Sequence, residues 1–502
     1  MTNPLYDALI KPHLDNSECF LLTDDGGEIS YNEFIQRASQ FAHVLAEAGM
    51  APGDRIVVQA AKLVETLALY VASIQIGAVY LPLNTGYTIS ELEYFINDAK
   101  PSVVVCADET AGKLRTITSQ FDCKTLTLNP NVTGSLIDSA ENQPTRFSPV
   151  QRGPDDLAAL LYTSGTTGRS KGAMLSQANL LSNARVLVGL WAISADDTLI
   201  HALPIFHTHG LFVAINSAML AGARMRWISS FDLEKILDAL PRSTLMMGVP
   251  TFYTRLLGDP RFDRSLTSNM RLFISGSAPL LSETHEAFEA RTGHRILERY
   301  GMTETNMNTS NPYEGERRAG TVGFPLQGTE IKITDPESGA ELPVGNVGMI
   351  EVRGPNVFKG YWNMPEKTAE ELRSNGYFIT GDLGRVDSDG YLHIVGREKD
   401  LIISGGYNIY PKEVEDVLND VDGVLESAVF GIPDSDFGEA VTAAIVLEMN
   451  ANIGRAELSE AALAKLAKFK HPKSYIFLTE LPRNTMGKVQ KNLLRKQHSG
   501  GA

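Results

Sequence analysis

Short β-rich runs recur through the first 280 residues of the chain: RIVVQA (55–60), SVVVCA (102–107), TLTL (125–128), LAALLYT (157–163), TLIHALPIF (198–206), STLMMGVP (243–250) and MRLFISG (270–276). Amphipathic stretches such as EFIQRASQFAHVLAEAG (33–49) and LEKILDALP (233–241) lie between them. Strand, helix, strand in series buries itself as layers of sheet and helix, so the pattern predicts an α/β fold. After about residue 320 the texture changes. Gly, Pro and Asp crowd TVGFPLQGTE, DPESGAELPVGNVG and DSDGYLHIVG, which predicts hairpins and a β-rich subdomain. At GREKDLIISGGYNIYPKEVEDVL (396–418) it changes again, to a small α+β unit. The charged run near Lys399, between two hydrophobic blocks, suits an exposed linker. The expected layout is a large N-terminal domain of layered α/β subdomains plus the β-rich subdomain over 1–396, a hinge at 397–400 and a small C-terminal domain over 401–502.

Charge narrows the partners. The 502 residues carry a net −15, which repels nucleic-acid phosphates and anionic lipid. Between Lys465 and Lys496, however, nine Lys/Arg stand against Glu480 alone. That tail is either a solvated face or a reception surface for a small anion. Cys19, Cys106 and Cys123 have no motif spacing, which argues against a disulfide framework or structural zinc and fits a reducing compartment. MTNPLYDALIKPHLD has no signal-peptide pattern. The apolar stretch Leu67 to Leu83 is interrupted by Ser73, Gln75, Gly77 and Pro82, so it reads as a buried helix and strand rather than a membrane span. The expected location is the cytoplasm.

The stretch LLYTSGTTGRSKGAML (160–175) sets a loop rich in glycine, hydroxyls and cations between apolar flanks. It is not the P-loop G-x-x-x-x-G-K-[ST]: Ser170 precedes Lys171 and Gly172 follows it. Backbone N–H groups freed by glycine, the hydroxyls of Thr163, Ser164, Thr166 and Thr167, and the Lys171 charge could still cradle phosphate. On composition alone, a surface turn fits equally.

The order of residues separates the two. TSGTTGRSKG after a hydrophobic strand resembles the phosphate loop of the adenylate-forming superfamily, which comprises acyl-CoA synthetases, luciferases and carrier-loading adenylation domains. Downstream, in the same order, ERYGMTETN (298–306), YFITGDLGRVDSDGYLHIVGREKDLI (377–402) and PRNTMGKVQK (482–491) resemble its remaining motifs, so the likeness spans essentially the whole chain.

The resemblance implies a two-step reaction: a carboxylate attacks the α-phosphate of ATP, then a thiol displaces AMP. It implies that Thr163, Ser164, Gly165, Thr166, Thr167, Gly168 and Lys171 hold the β- and γ-phosphates, that Thr303 donates to the α-phosphate, and that Glu304 holds Mg²⁺. Tyr300 would stack on adenine in a pocket completed by Gly276, Ser277 and Ala278, with Glu298 and Arg299 in the same nucleotide-binding set. Asp382 would take the ribose hydroxyls, Arg397 ribose or phosphate, and Lys488 the charge developing at the α-phosphate. The C-terminal domain is mobile in this family, and its hinge residue corresponds to Lys399. After rotation, Gly405 and Gly406 would flank the CoA tunnel. Lys488 would also be open to acetylation, with an acetyltransferase and a deacetylase as partners, because acetylation removes its charge.

His207, in PIFHTHGLF, matches the family's acyl-pocket position. His207 and His209 have H-x-H spacing but no evident third metal ligand. Two arginines, Arg271 and Arg299, flank the acyl-pocket segments, and a pocket arginine binds a second carboxylate as a bidentate fork. Several phrases (ALPIFHTHGLFVA, RLFISGSAPLL, LERYGMTETNMNTSNPY, LPRNTMGKVQKN) closely resemble malonyl-CoA synthetases, which also take methylmalonate. Arg271 is preferred as the distal-carboxylate ligand and Arg299 comes second. A ligase for another small acid, a carrier-loading adenylation enzyme and a luciferase-like oxygenase stay open as alternatives.

Overall fold

The computed structural model describes residues 3–163, 170–404, 407–434, 437–484 and 487–499. Its strands form two large sheets, a smaller antiparallel sheet and a C-terminal sheet. One large sheet has six strands in the order Lys124–Thr127, Val103–Cys106, Arg55–Gln59, Val79–Pro82, Leu157–Thr163, Lys171–Ser176; all neighbours are parallel except the last pair. Val103–Cys106 is buried at every position, as expected of a parallel strand covered on both faces. Each such valine contributes about 1.5–3 kcal/mol by leaving water.

The other large sheet has nine strands. Its parallel centre runs Leu297–Met302, Leu272–Ser275, Leu245–Gly248, Thr198–His201, Arg224–Trp227, Cys19–Thr23, and antiparallel strands finish both edges. In a parallel sheet of this type the ligand crevice lies beyond the carboxyl ends of the strands. Here those ends lead into Ala202–His209, Gly276–Ala278 and Thr303–Glu304. The α/β expectation is therefore met.

The apolar stretch 67–83 divides as expected. Helix Val64–Ile76 stops at Gly77, whose φ of 74° is the left-handed cap that glycine adopts without strain, and strand Val79–Pro82 follows. Among the described residues no helix is long and apolar enough to cross a membrane. The Gly/Pro/Asp-rich region holds the antiparallel sheet Glu330–Thr334, Gly348–Arg353, Phe378–Val386, Leu392–Arg397.

Beyond Asp400 the chain builds a further sheet around the long pair Val424–Asp434 and Gly438–Leu447. Its hydrophobic clusters draw only on residues from Ile402 onward, whereas those of the preceding sheets stop at Ile394.

Candidate active site

Strand Leu157–Thr163 enters the phosphate-loop segment and strand Lys171–Ser176 leaves it, paired antiparallel with Thr163 opposite Lys171. The residues between, Ser164, Gly165, Thr166, Thr167 and Gly168 among them, lie outside the described residues. The departing strand is anchored by a capping box: Ser176 and Asn179 exchange bonds at the start of helix Gln177–Leu190. Lys171 is buried. Its ammonium donates to Tyr361 Oη at 3.1 Å and to Glu371 at 3.0 Å, above the Tyr361 ring. The same tyrosine hydroxyl lies 3.0 Å from Oε1 of Glu304, a buried carboxyl that burial pushes upward while Lys171 opposes the shift.

On the nucleoside side, Tyr300 comes from strand Leu297–Met302 and Asp382 from strand Phe378–Val386. Tyr300 Oη donates to Asp382 Oδ2 at 2.5 Å. Arg397, opposite Asp382 on the next strand, holds Oδ1 at 2.6 Å. A carboxylate offers about four lone-pair positions, so Asp382 is fixed from two sides and still has acceptor capacity for a diol. Thr303 is half-buried in the turn after Met302, and Ala278 is half-buried beyond Ser277.

The surroundings of Arg299 are the most unusual part. Arg299 is 4% exposed, and its Nε and Nη2 have no partner. Burial pushes this guanidinium down to about 9, with Tyr253 opposing. Gly276 makes room for it: a Cβ there would come within 2.4 Å of Arg299 Cζ. His209 is fully buried, with Nδ1 3.2 Å from Ser277 Oγ and Nε2 unpartnered. Ser277 has a φ of 72°, a conformation costing a side-chain-bearing residue about 1–3 kcal/mol and concentrated at functional sites. His207 is pushed down to about 4, first by burial, then by the Arg299 and Lys488 charges. It is therefore neutral at neutral pH.

The preferred arginine of the sequence reading has other commitments. Arg271 clamps Asp197 through Nε at 2.8 Å and Nη2 at 2.6 Å, and donates to the carbonyls of Trp191 and Ala192. It also precedes strand Leu272–Ser275, about 16 Å of strand from Gly276. Arg271 is thus a strand-end anchor, and the order of the two arginines reverses. Glu298 is placed elsewhere than beside Tyr300 and Asp382. Its carboxyl faces the buried imidazole of His285, 3.5 Å away on helix Ser282–Thr292.

Lys488 arrives from the C-terminal part. Its N–H donates to Asn484 Oδ1 and its carbonyl accepts from Asn484 N, closing a hairpin whose flanks bridge at Arg483 and Val489. The adjacent Gly487, at φ 74°, lies close enough that a Cβ would sit 3.3 Å from Thr251 Oγ1, so this hairpin docks on helix Pro250–Leu257. The Lys488 side chain is exposed, yet its ammonium feels the charges of Arg397, Asp382 and Asp400. It is pushed down to about 8, first by lost hydration, then by Arg397. Lys399 is exposed in the short turn Glu398–Asp400, and Asp400 is tied to Arg495 of the last helix at 3.1 Å. Gly405 and Gly406 lie outside the described residues. Sequence reasoning passed over Tyr361 and Glu371, which no motif marked, and His209, which it weighed only as a metal ligand.

Tyr300 with Asp382 and Arg397, and Lys171 with Tyr361 and Glu304, stand where the resemblance to adenylate-forming enzymes expects such residues. The chain belongs to the AMP-binding enzyme family, whose main model matches residues 11–362 and whose C-terminal-domain model matches residues 413–488. Within it, this chain is an AMP-forming acyl-CoA ligase. It is 37% identical to a malonate–CoA ligase of Arabidopsis thaliana over 484 residues, 89% of this chain and 78% of that one. It is 35% identical to a feruloyl-CoA synthase of an Amycolatopsis species, covering 98% of both. ATP-bound MatB from Rhodopseudomonas palustris matches at a TM-score of 0.98 and 54% identity, over 100% of this chain and 99% of that one. Apo MatB, equally identical and equally covered, matches at 0.87.

Proposed function

We propose that the protein is a malonate–CoA ligase: malonate, and also methylmalonate, with ATP and CoA gives malonyl-CoA (or methylmalonyl-CoA), AMP and diphosphate through an acyl adenylate. The observation that carries this reading is Arg299, a buried guanidinium with free donors among His207, His209 and Ser277. A buried unpaired charge is costly unless a ligand pairs with it. A short dicarboxylate supplies that partner with its distal carboxylate, and its proximal carboxylate is left to react. The Arabidopsis relative's name points the same way. The feruloyl-CoA synthase is nearly as similar, but an aromatic acid without a second carboxylate would leave Arg299 uncompensated.

In this reading Lys171 and the phosphate loop meet the β- and γ-phosphates, Thr303 donates to the α-phosphate, Tyr300 and Ala278 line the adenine, and Asp382 and Arg397 hold the ribose. Lys488 stabilises the charge that gathers as carboxylate oxygen meets α-phosphorus, an interaction worth most in the transition state. Glu304 fits Mg²⁺: it is a hard oxygen donor, buried, with Tyr361 Oη bonded to Oε1 of its carboxylate. Mg²⁺, when bound, neutralises phosphate charge. His207, neutral, lines the acyl pocket.

We place the domain boundary at 396/401 with Lys399 as hinge, and the second step with the C-terminal domain rotated so that Gly405 and Gly406 line the CoA tunnel. The separate hydrophobic clusters on either side support this. A cytoplasmic location and control by acetylation of Lys488 belong to the same proposal.

The test is AMP formation from ATP, Mg²⁺ and CoA with malonate, methylmalonate, acetate, octanoate and ferulate in parallel. Turnover on malonate far above acetate, lost in Arg299→Ala, is expected. Equal turnover on acetate, octanoate or ferulate rejects malonate as the substrate.

A further inference from the structure

Lys171 has been read as a phosphate ligand, yet a lysine is a poor one until something holds it. Its four-carbon stem carries about 2 kcal/mol of rotamer entropy, and its three N–H donors rotate freely. Here the stem is already still. Its ammonium donates to Tyr361 Oη at 3.1 Å and to both oxygens of the Glu371 carboxylate at 3.0 and 3.1 Å, and the charge lies 4.2 Å from the Tyr361 ring centre. Three oxygens therefore fix where the ammonium stands.

Tyr361 is itself immobile. Its residue bridges Ala173 on the strand that carries Lys171, and its N–H donates to Thr368 Oγ1 at 2.9 Å. Its hydroxyl accepts from Lys171 and has one proton for two carboxylates, Glu371 Oε2 at 2.6 Å and Glu304 Oε1 at 3.0 Å. Tyr361 therefore touches both groups assigned to phosphate and metal. Glu371, the last residue of helix Pro365–Glu371, is steadied from its outer side by Lys367 at 3.0 Å.

We propose that Tyr361 and Glu371 are positioning residues for adenylation, presetting the Lys171 ammonium and the Glu304 carboxylate before the nucleotide arrives. The proposal rests on the reading of Lys171 and Glu304 given above. Stability alone explains the arrangement poorly. A partly buried ion pair adds little net stability over an apolar replacement, whereas fixing a group in its working geometry lowers the cost of binding.

The experiment compares wild type, Tyr361→Phe, Glu371→Gln and Lys171→Ala by calorimetric titration of ATP without Mg²⁺ or acid, by steady-state kinetics and by thermal melting. Both positioning variants keep the side-chain shape. They are expected to weaken ATP binding about tenfold, the scale on which supporting partners act. Tyr361→Phe should also raise the Mg²⁺ needed for half-maximal turnover. Malonate KM and the melting temperature should stay near wild type. If both variants bind ATP within twofold of wild type while Lys171→Ala does not, the positioning role is wrong and the Lys171 reading stands. If Lys171→Ala also binds ATP normally, the Lys171 reading itself fails. Tighter ATP binding in Glu371→Gln overturns the proposal in another way, since Glu371 would then compete with phosphate. If Tyr361→Phe unfolds, Glu371→Gln at the outer edge decides alone.

Discussion

The two ends of the nine-stranded sheet treat the same residue type in opposite ways. At the amino end of strand Leu272–Ser275, Arg271 donates through Nε, Nη1 and Nη2, and Asp197 answers it while also accepting from Thr244. At the carboxyl end, Arg299 is more deeply buried and has idle donors, beside a histidine with an idle nitrogen and a serine in a strained backbone. Native interiors rarely leave polar groups unpaired. One end is finished by folding, and the other keeps the unpaired donors that the proposed function gives to a ligand.

This contrast can be tested at several points. Lys488→Ala should reduce malonate-dependent pyrophosphate exchange about a thousandfold, the scale of a lost transition-state charge partner; near-normal exchange would mean that the docked hairpin is incidental. Arg299→Ala should reduce kcat/KM for malonate about a hundredfold or more, yet leave the weak acetate turnover intact, and a parallel loss on acetate would reduce Arg299 to a structural part. Arg271→Ala should do the reverse. It strands a buried aspartate and removes about 3 kcal/mol of unfolding free energy, with malonate KM unchanged in the folded fraction.

A pH profile adds a smaller effect. The proposed role of Lys488 needs its ammonium form, and its value is depressed to about 8. Charge is therefore lost as pH rises through 8, well below the ordinary lysine value near 10.4. kcat/KM for ATP should fall tenfold per unit above that point, and the fall should vanish in whatever activity Lys488→Arg retains. The smallest effect is local: Ser176→Ala should lose about 1 kcal/mol of stability through its helix cap, measurable in denaturant, with kinetics unchanged.

Most of the layering was legible in the sequence because buried parallel strands are nearly continuous apolar runs. LAALLYT is strand Leu157–Thr163 residue for residue. TLIHALPIF was too long, since the strand stops at His201 and the rest turns into the acyl loop. Arg224–Trp227 escaped notice because its arginines hide a central strand. At the site, motifs named Tyr300, Asp382 and Arg397, whose side chains do meet. Motifs could not rank Arg271 against Arg299, because that depends on whether an aspartate 74 residues away in the chain reaches one of them. Nor could they find Tyr361 or Glu371, whose places follow from a chain segment laid beside the Lys171 strand.

The hydrophobic clusters that end at Ile394 and begin again at Ile402 also bear on how such an enzyme can be altered. Among the described residues no hydrophobic cluster spans the join, and the segment carrying Lys488 meets the preceding part through surface contacts such as Gly487 on Thr251. Withdrawing the lysine therefore requires no rearrangement of either interior. Under the proposed function, the tempo of the catalytic cycle can then drift under selection, or be reset by design, through surface substitutions alone, with the surroundings of Arg299 left as they are.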